Sequence, residues 1–110
     1  MVKLLAVCAL ASALGACTQA ALPVPTDTDV TRAASMWPDV SLRALEDGRR
    51  LYLGRCGSCH RPYHPADHTA DEWSREIAEM RVRARLDDRE TELVRGYLAT
   101  FAKSGTSDHR

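Results

Sequence analysis

Cys56-Gly57-Ser58-Cys59-His60 sets two thiols three positions apart and follows the second directly with an imidazole. Thiols at this spacing, with histidine next, read as a covalent attachment site for c-type haem. Each thiol forms a thioether to one vinyl group of the same macrocycle, and the ring nitrogen of His60 comes under the iron as proximal ligand. Cys56, Cys59 and His60 are thus the first candidate site residues.

Two other readings compete for the same residues. His64 and His68 lie close enough in sequence to complete a Cys2His2 zinc set with Cys56 and Cys59, and a Cys-x-x-Cys pair can form a redox-active disulfide. The N-terminus bears on the choice. Met1-Val2-Lys3 supplies one positive charge, and Leu4 to Leu14 is an apolar run of eleven residues, the layout of an export signal. Such a run is too short to span a bilayer as a helix. It ends in Leu14-Gly15-Ala16-Cys17, which resembles the lipobox of bacterial lipoproteins. That resemblance implies cleavage after residue 16 and acylation of Cys17. Export favours haem over zinc, because bacteria attach c-type haem outside the cytoplasmic membrane. Cys8 leaves with the signal, Cys17 takes the lipid, and Cys56 and Cys59 become thioethers, so no thiol is left for a bridge. The adjacent His60 and the lack of a βαβ pattern also weigh against a redox disulfide.

Without residues 1–16 the chain keeps 94 residues, with 14 Lys and Arg against 15 Asp and Glu. A nearly neutral chain has no basic excess for nucleic acid and no acidic tail. This length makes one small domain, with only six aromatic residues for its core. Haem would supply much of that core, so the apoprotein is expected to fold poorly. The expected organisation is a signal peptide over 1–16, the lipidated Cys17 with a flexible tether to residue 40, a haem domain over 41–104 and a tail over 105–110. Pro23, Pro25 and Pro38 amid Thr, Asp and Ala, without periodicity, suggest the tether. As a coil its 23 residues after Cys17 would span roughly 25–30 Å. Met36 and Trp37 are its only candidates for docking on the domain, by packing on an apolar edge or, for Met36, as an iron ligand.

Three helical blocks follow, and no apolar-polar alternation long enough for a strand, no internal repeat and no second CxxCH occurs. The first block starts at Ser41, a good N-cap, and aligns Leu42, Leu45, Gly48 or Arg49, and Tyr52. Gly48 is costly inside a helix, by about 1 kcal/mol relative to alanine, which points to a close approach there. The second opens with Thr69-Ala70-Asp71-Glu72, a capping box. It places Trp73, Ile77, Met80 and Ala84 on one apolar stripe. Met80 on such a stripe is either a plain core residue or, beside a haem, the soft sixth ligand of the iron. The third opens with Asp87-Asp88-Arg89-Glu90, turns Leu93, Val94, Tyr97, Leu98 and Phe101 inward, and ends at Gly105. The fold class is therefore all-α, about three helices around one covalently attached haem.

Residues 41–102 resemble the class I cytochrome c family. Gly48, Tyr52 and Cys56 match its first helix, and Tyr97 and Leu98 its last, whose aromatic crosses at that glycine. Met80 stands where the family's distal methionine comes. The short His60-to-Met80 interval, and the run from Pro62, Tyr63 and Pro65 through Asp71 and Glu72 to Trp73, are similar to compact bacterial monohaem proteins. The resemblance implies that a proline carbonyl, Pro62 or Pro65, accepts the His60 imidazole N–H.

A His60/Met80 pair leaves the iron no open position and gives a higher potential than a bis-His pair made with His64 or His68. Those two histidines are expected at the surface, with distal ligation the alternative. Arg75, Arg81, Arg83, Arg85 and Arg89 read as a solvated helix face for which Glu72, Glu76 and Glu79 are available partners at i, i+3 or i, i+4; the alternative is that one or two of them reach a haem propionate or an acidic patch on a redox partner. The expectation is a one-electron carrier, not an enzyme, with periplasmic or membrane-bound redox proteins as partners. It sits in a bacterial envelope and is anchored to the membrane by lipid. Thr18, not aspartate, follows Cys17, which favours the outer membrane facing the periplasm. If Met80 is labile or absent from the iron, the same domain becomes a gas or peroxide sensor or a small peroxidase. A zinc-stabilised lipoprotein module is the reading without redox chemistry.

Overall fold

A computed structural model describes residues 21–57 and 61–105. Helices α1 (Asp27–Ala33) and α2 (Leu42–Leu51) come first, and α2 runs into a π-helical turn, Tyr52–Cys56. A 3-10 turn, Pro65–Asp67, then leads to α3 (Ala70–Met80) and α4 (Asp88–Phe101). The chain is all-helical among the described residues, with only an isolated bridge between Thr69 and Lys103.

The three long helices start where short polar side chains satisfy the unpaired amides of the first turn. Ser41 Oγ accepts from the Ala44 amide at 3.1 Å. Thr69 Oγ1 accepts from the Glu72 amide, and the Glu72 carboxylate accepts from the Thr69 amide in return. Asp87 and Glu90 make the same reciprocal pair at α4.

Leu45, Tyr52, Val94, Tyr97 and Leu98 are buried where α2 crosses α4. Gly48 sits at the crossing: a Cβ there would lie 2.2 Å from the Leu93 carbonyl oxygen and 2.9 Å from Tyr97 Cβ. Its cost in α2 thus has a steric reason, and the Tyr97 side predicted to meet it does so. Leu93, expected inward, is half-buried and offers its backbone to Gly48. From α3, Trp73 and Ile77 complete the core, and Leu86 joins them from the following turn.

Three expectations need correction. The described part of the tether is folded onto the domain. Pro23 and Leu22 carbonyls accept from the Tyr97 hydroxyl at 2.8 Å and the Arg49 guanidinium at 3.4 Å. Ala33 of α1 is buried, and the Arg32 guanidinium lies 5.5 Å from the centre of the Phe101 ring. Trp37 fills the space that a side chain at Gly96 would need, while Met36 is 58% exposed. A seven-residue helix is too short to show a hydrophobic period, and its anchors are backbone carbonyls, which composition does not reveal.

Secondly, α3 stops at Met80. Ala84 reaches the interior from a turn closed by Ala84 N–H to Met80 O and Leu86 N–H to Arg81 O, with Arg85 at φ 54°. Thirdly, α4 ends at Phe101, short of Gly105, because Ala102 is extended and the Lys103 amide bonds to the His68 carbonyl at 3.0 Å. Residues 1–20, 58–60 and 106–110, and with them Cys17, Cys59, His60 and most of the C-terminal tail, lie outside the described residues.

Candidate haem crevice

An apolar crevice opens beside the α2–α4 crossing. Tyr52 and Cys56 line it from the end of α2, Trp73, Ile77 and Met80 from α3, Ala84 and Leu86 from the turn, and Val94 and Leu98 from α4. Tyr63, His68, Glu76 and Arg81 add the polar groups that reach it.

The π-helical turn carries Cys56 into this lining. Widening the helix by one residue per turn is a device common at functional sites, and here it carries the motif's first cysteine to the crevice. Gly57, the first residue between the two thiols, has no room for a side chain, since a Cβ would lie 2.4 Å from the Leu53 carbonyl oxygen. Cys56 carries a free, half-buried thiol, and burial pushes that thiol above its ordinary range.

Two aromatic donors pin the 61–69 loop to the core. The Tyr52 hydroxyl donates to the Tyr63 carbonyl at 2.6 Å, and the Trp73 indole N–H donates to the Pro65 carbonyl at 2.7 Å. The Tyr52 and Trp73 rings meet edge-on, with centroids 6.0 Å apart. Burial, above all, and then the neighbouring Cys56 push the Tyr52 hydroxyl well above its usual range. Both rings therefore present apolar surface to the crevice while their polar ends are satisfied elsewhere.

The two loop histidines part company. His64 caps the 3-10 turn, its Nδ1 accepting from the Ala66 amide at 3.0 Å. His68 is half-buried and lines the crevice, its ring edge-on to Trp73 at 4.7 Å between centroids. Its Nδ1 lies 3.8 Å from the Glu72 carboxylate, which the Thr69 amide, then Lys103 and His68, hold below the usual carboxylate range. No group of three or more His, Cys, Asp or Glu able to hold a metal ion occurs among the described residues.

Met80, the last residue of α3, is half-buried and shares the crevice with Cys56. Arg75, Arg83, Arg85 and Arg89 are exposed, as a solvated face requires, but the possible pairs with Glu72, Glu76 and Glu79 do not form among the described residues. Arg81 pairs with Asp88 across the turn, and Arg75, Arg83, Arg85 and Arg89 form no ion pair among the described residues. Arg55 is the residue that sequence reading missed. It donates to the Ala84 and Arg85 carbonyls and pairs with Glu90. No local signal marks it, since its partners lie about thirty positions along the chain.

The lining fits a haem. Apolar surface suits the macrocycle, the Cys56 thiol lies at the lining, and Met80 sulfur and the His68 ring are soft and borderline donors within the same crevice. An all-helical domain in which Cys56, the first cysteine of a CxxCH, lines such a crevice is consistent with a c-type cytochrome. Residues 52–110 match the dihaem cytochrome c family, and the chain belongs to it, which supports a haem-based electron-transfer role. The family is a dihaem one, where the helix residues, the short His60-to-Met80 interval and the run to Trp73 resemble compact monohaem members of class I. No curated protein and no solved structure matches the chain. No helix among the described residues is long and apolar enough to cross a membrane.

Proposed function

We propose that this chain carries one haem c, bonded through Cys56 and Cys59, with His60 proximal and Met80 distal, and passes single electrons between redox proteins of a bacterial envelope. The observation that carries the reading is that Met80 and Cys56, 24 positions apart, line one apolar crevice. When bound, the haem supplies a one-electron couple. Trp73, Ile77, Leu86 and Leu98 would exclude water from its faces, which stabilises the less charged ferrous state. Met80 would supply the thioether that closes the sixth position and raises the potential. The resemblance implies that the Pro62 or the Pro65 carbonyl accepts the His60 imidazole N–H; the Pro65 carbonyl also accepts from Trp73. The single CxxCH supports one haem on this chain, although the family is a dihaem one.

Lipidation of Cys17, outer-membrane placement facing the periplasm, and periplasmic or membrane-bound redox partners belong to the same proposal and rest on the N-terminal sequence. Folding of residues 22–40 onto the domain leaves only a short link after Cys17, so the haem would sit close to the membrane.

His68 offers a second reading because it alone of the two loop histidines lines the crevice. Optical spectra of the haem-loaded protein, oxidised and reduced, separate the two. A weak far-red ferric band lost in Met80→Ala and kept in His68→Ala supports the methionine. A bis-His spectrum lost in His68→Ala supports the histidine. A five-coordinate spectrum indifferent to both moves the protein to gas or peroxide chemistry. A mass increment of one haem, against two, tests the stoichiometry.

A further inference from the structure

The turn after Met80 is held from outside by a residue of the haem-attachment segment. Arg55 Nη1 donates to the Arg85 carbonyl at 2.9 Å and to the Ala84 carbonyl at 3.3 Å. Its Nη2 donates to Glu90 Oε1 at 3.3 Å, while Glu90 Oε2 accepts from the Asp87 amide in the α4 cap. One guanidinium therefore joins the π-helical turn, the 81–86 turn and the start of α4.

That turn has reason to need such support. Arg85 lies at φ 54°, in the left-handed region that side chains other than glycine, asparagine and aspartate seldom adopt. Within the turn, Ala84 bonds back to the carbonyl of Met80 itself and Leu86 to that of Arg81. Carbonyls just past a helix end carry partial negative charge and attract a cation, and the planar fork of arginine reaches two oxygens and a carboxylate at once. Arg55 is also the immediate neighbour of Cys56, so its guanidinium is fixed relative to the covalent side of the proposed site.

We infer that Arg55 is a positioning residue that holds the 81–86 turn, and with it Met80, against the haem-attachment segment. The inference rests on the Met80 ligation proposed above. The bonds made by its side chain set how readily the methionine leaves the sixth position, without Arg55 touching the iron.

Imidazole titration of the ferric, haem-loaded protein reads this directly, because exogenous imidazole binds only as the sixth ligand departs. Loss of charge-assisted hydrogen bonds to the turn in Arg55→Gln is expected to tighten apparent imidazole binding about tenfold and to lower the reduction potential. Arg55→Lys, which keeps the charge but loses the fork, is expected to fall between. Arg83→Gln, on the same turn without an ion pair among the described residues, is the charge control and is expected to match the unsubstituted protein. Equal imidazole affinities for Arg55→Gln and the unsubstituted protein, or equal shifts in Arg55→Gln and Arg83→Gln, overturn the inference. A ferric spectrum that Met80→Ala leaves unchanged instead defeats the ligation reading. In that case amide exchange at Ala84 and Leu86 still decides: protection reduced in Arg55→Gln sustains the clamp, and unchanged protection removes it.

Discussion

The α2–α4 crossing and the crevice beside it are built from different kinds of contact. At the crossing, backbone meets backbone where Gly48 faces the Leu93 carbonyl, and beside it the Trp37 ring lies directly on Gly96 of α4. Neither position has room for one more carbon. Around the crevice the elements are tied by side chains reaching to carbonyls, Tyr52 to Tyr63, Trp73 to Pro65 and Arg55 to the turn after Met80. Interiors packed to full density transmit any added volume as strain, whereas a side-chain tie yields by rotation at the cost of one hydrogen bond. The crossing is thus the frame of the molecule, and the side-chain-tied segments around the crevice are its lip.

The largest effect should therefore come from the smallest change in the frame. Gly48→Ala puts a methyl group against the Leu93 backbone, and overpacking of this kind is expected to cost about 3 kcal/mol, the upper part of its usual range. Gly54→Ala is the matched change in the π-helical turn, where nothing lies within 4 Å of the added carbon. It is expected to be neutral or to stabilise by about 0.5 kcal/mol through the unfolded chain. Denaturant unfolding of the two haem-loaded variants side by side checks this. Equal effects would mean that the crossing is no tighter than the turn beside it.

Trp37→Ala asks whether the frame extends to the N-terminal segment. Removing a half-buried indole seated on Gly96 is expected to cost about 2 kcal/mol, less than for a fully buried ring. Proteolytic cutting between residues 22 and 40 should become faster while the domain from 41 onward persists. A variant cut no faster than the parent would return this segment to the flexible tether that its composition suggests.

Much of the frame was legible because its signals are local or costly. Ser41, Thr69 and Asp87 each announce a helix within four residues of sequence, and Gly48 announces a close contact by being a poor choice for a helix. The period that joined Trp73, Ile77 and Met80 is a true helical face, and all three residues reach the crevice. Ala84 fits the same period by coincidence, since the helix has already ended and a turn delivers it. What could not be read was contact between distant, unpatterned groups. The seating of Trp37 on Gly96 pairs two residues 59 positions apart, and the Arg55 fork closes on carbonyls, which every residue has. Residue types specify local geometry well and such pairings hardly at all.

Trp73→Phe tests the lip. An aromatic ring remains, but a smaller one: the buried Pro65 carbonyl loses the indole N–H and the core loses part of the indole's volume, at an expected cost of about 2 kcal/mol. Because that bond ties the 61–69 loop to α3, amide exchange in the loop should speed up while α2 and α4 keep their protection. Faster exchange spread evenly over α4 would show that crevice and crossing unfold as one unit, and the distinction between them would fail.

The smallest expected effect separates the two regions by pH. Burial pushes the Tyr97 hydroxyl, which donates to the Pro23 carbonyl within the frame, up to about 12. In the unfolded chain tyrosine ionises near its ordinary value of about 10. Between the two values the folded protein holds a proton that the unfolded chain has released, so stability falls as pH rises through that window and is complete below it. Tyr52 is raised too, at the edge of the crevice, and contributes a loss of the same sign. Tyr97→Phe removes one of these two contributions. Its unfolding free energy should be lower than the parent's near neutrality by about 1 kcal/mol for the lost hydrogen bond, and the gap should narrow as the parent weakens at alkaline pH. Parallel decline of the two proteins would show that the frame tyrosine is hydrated enough to ionise in place, and that the crossing is sealed less tightly than the position of Gly48 implies.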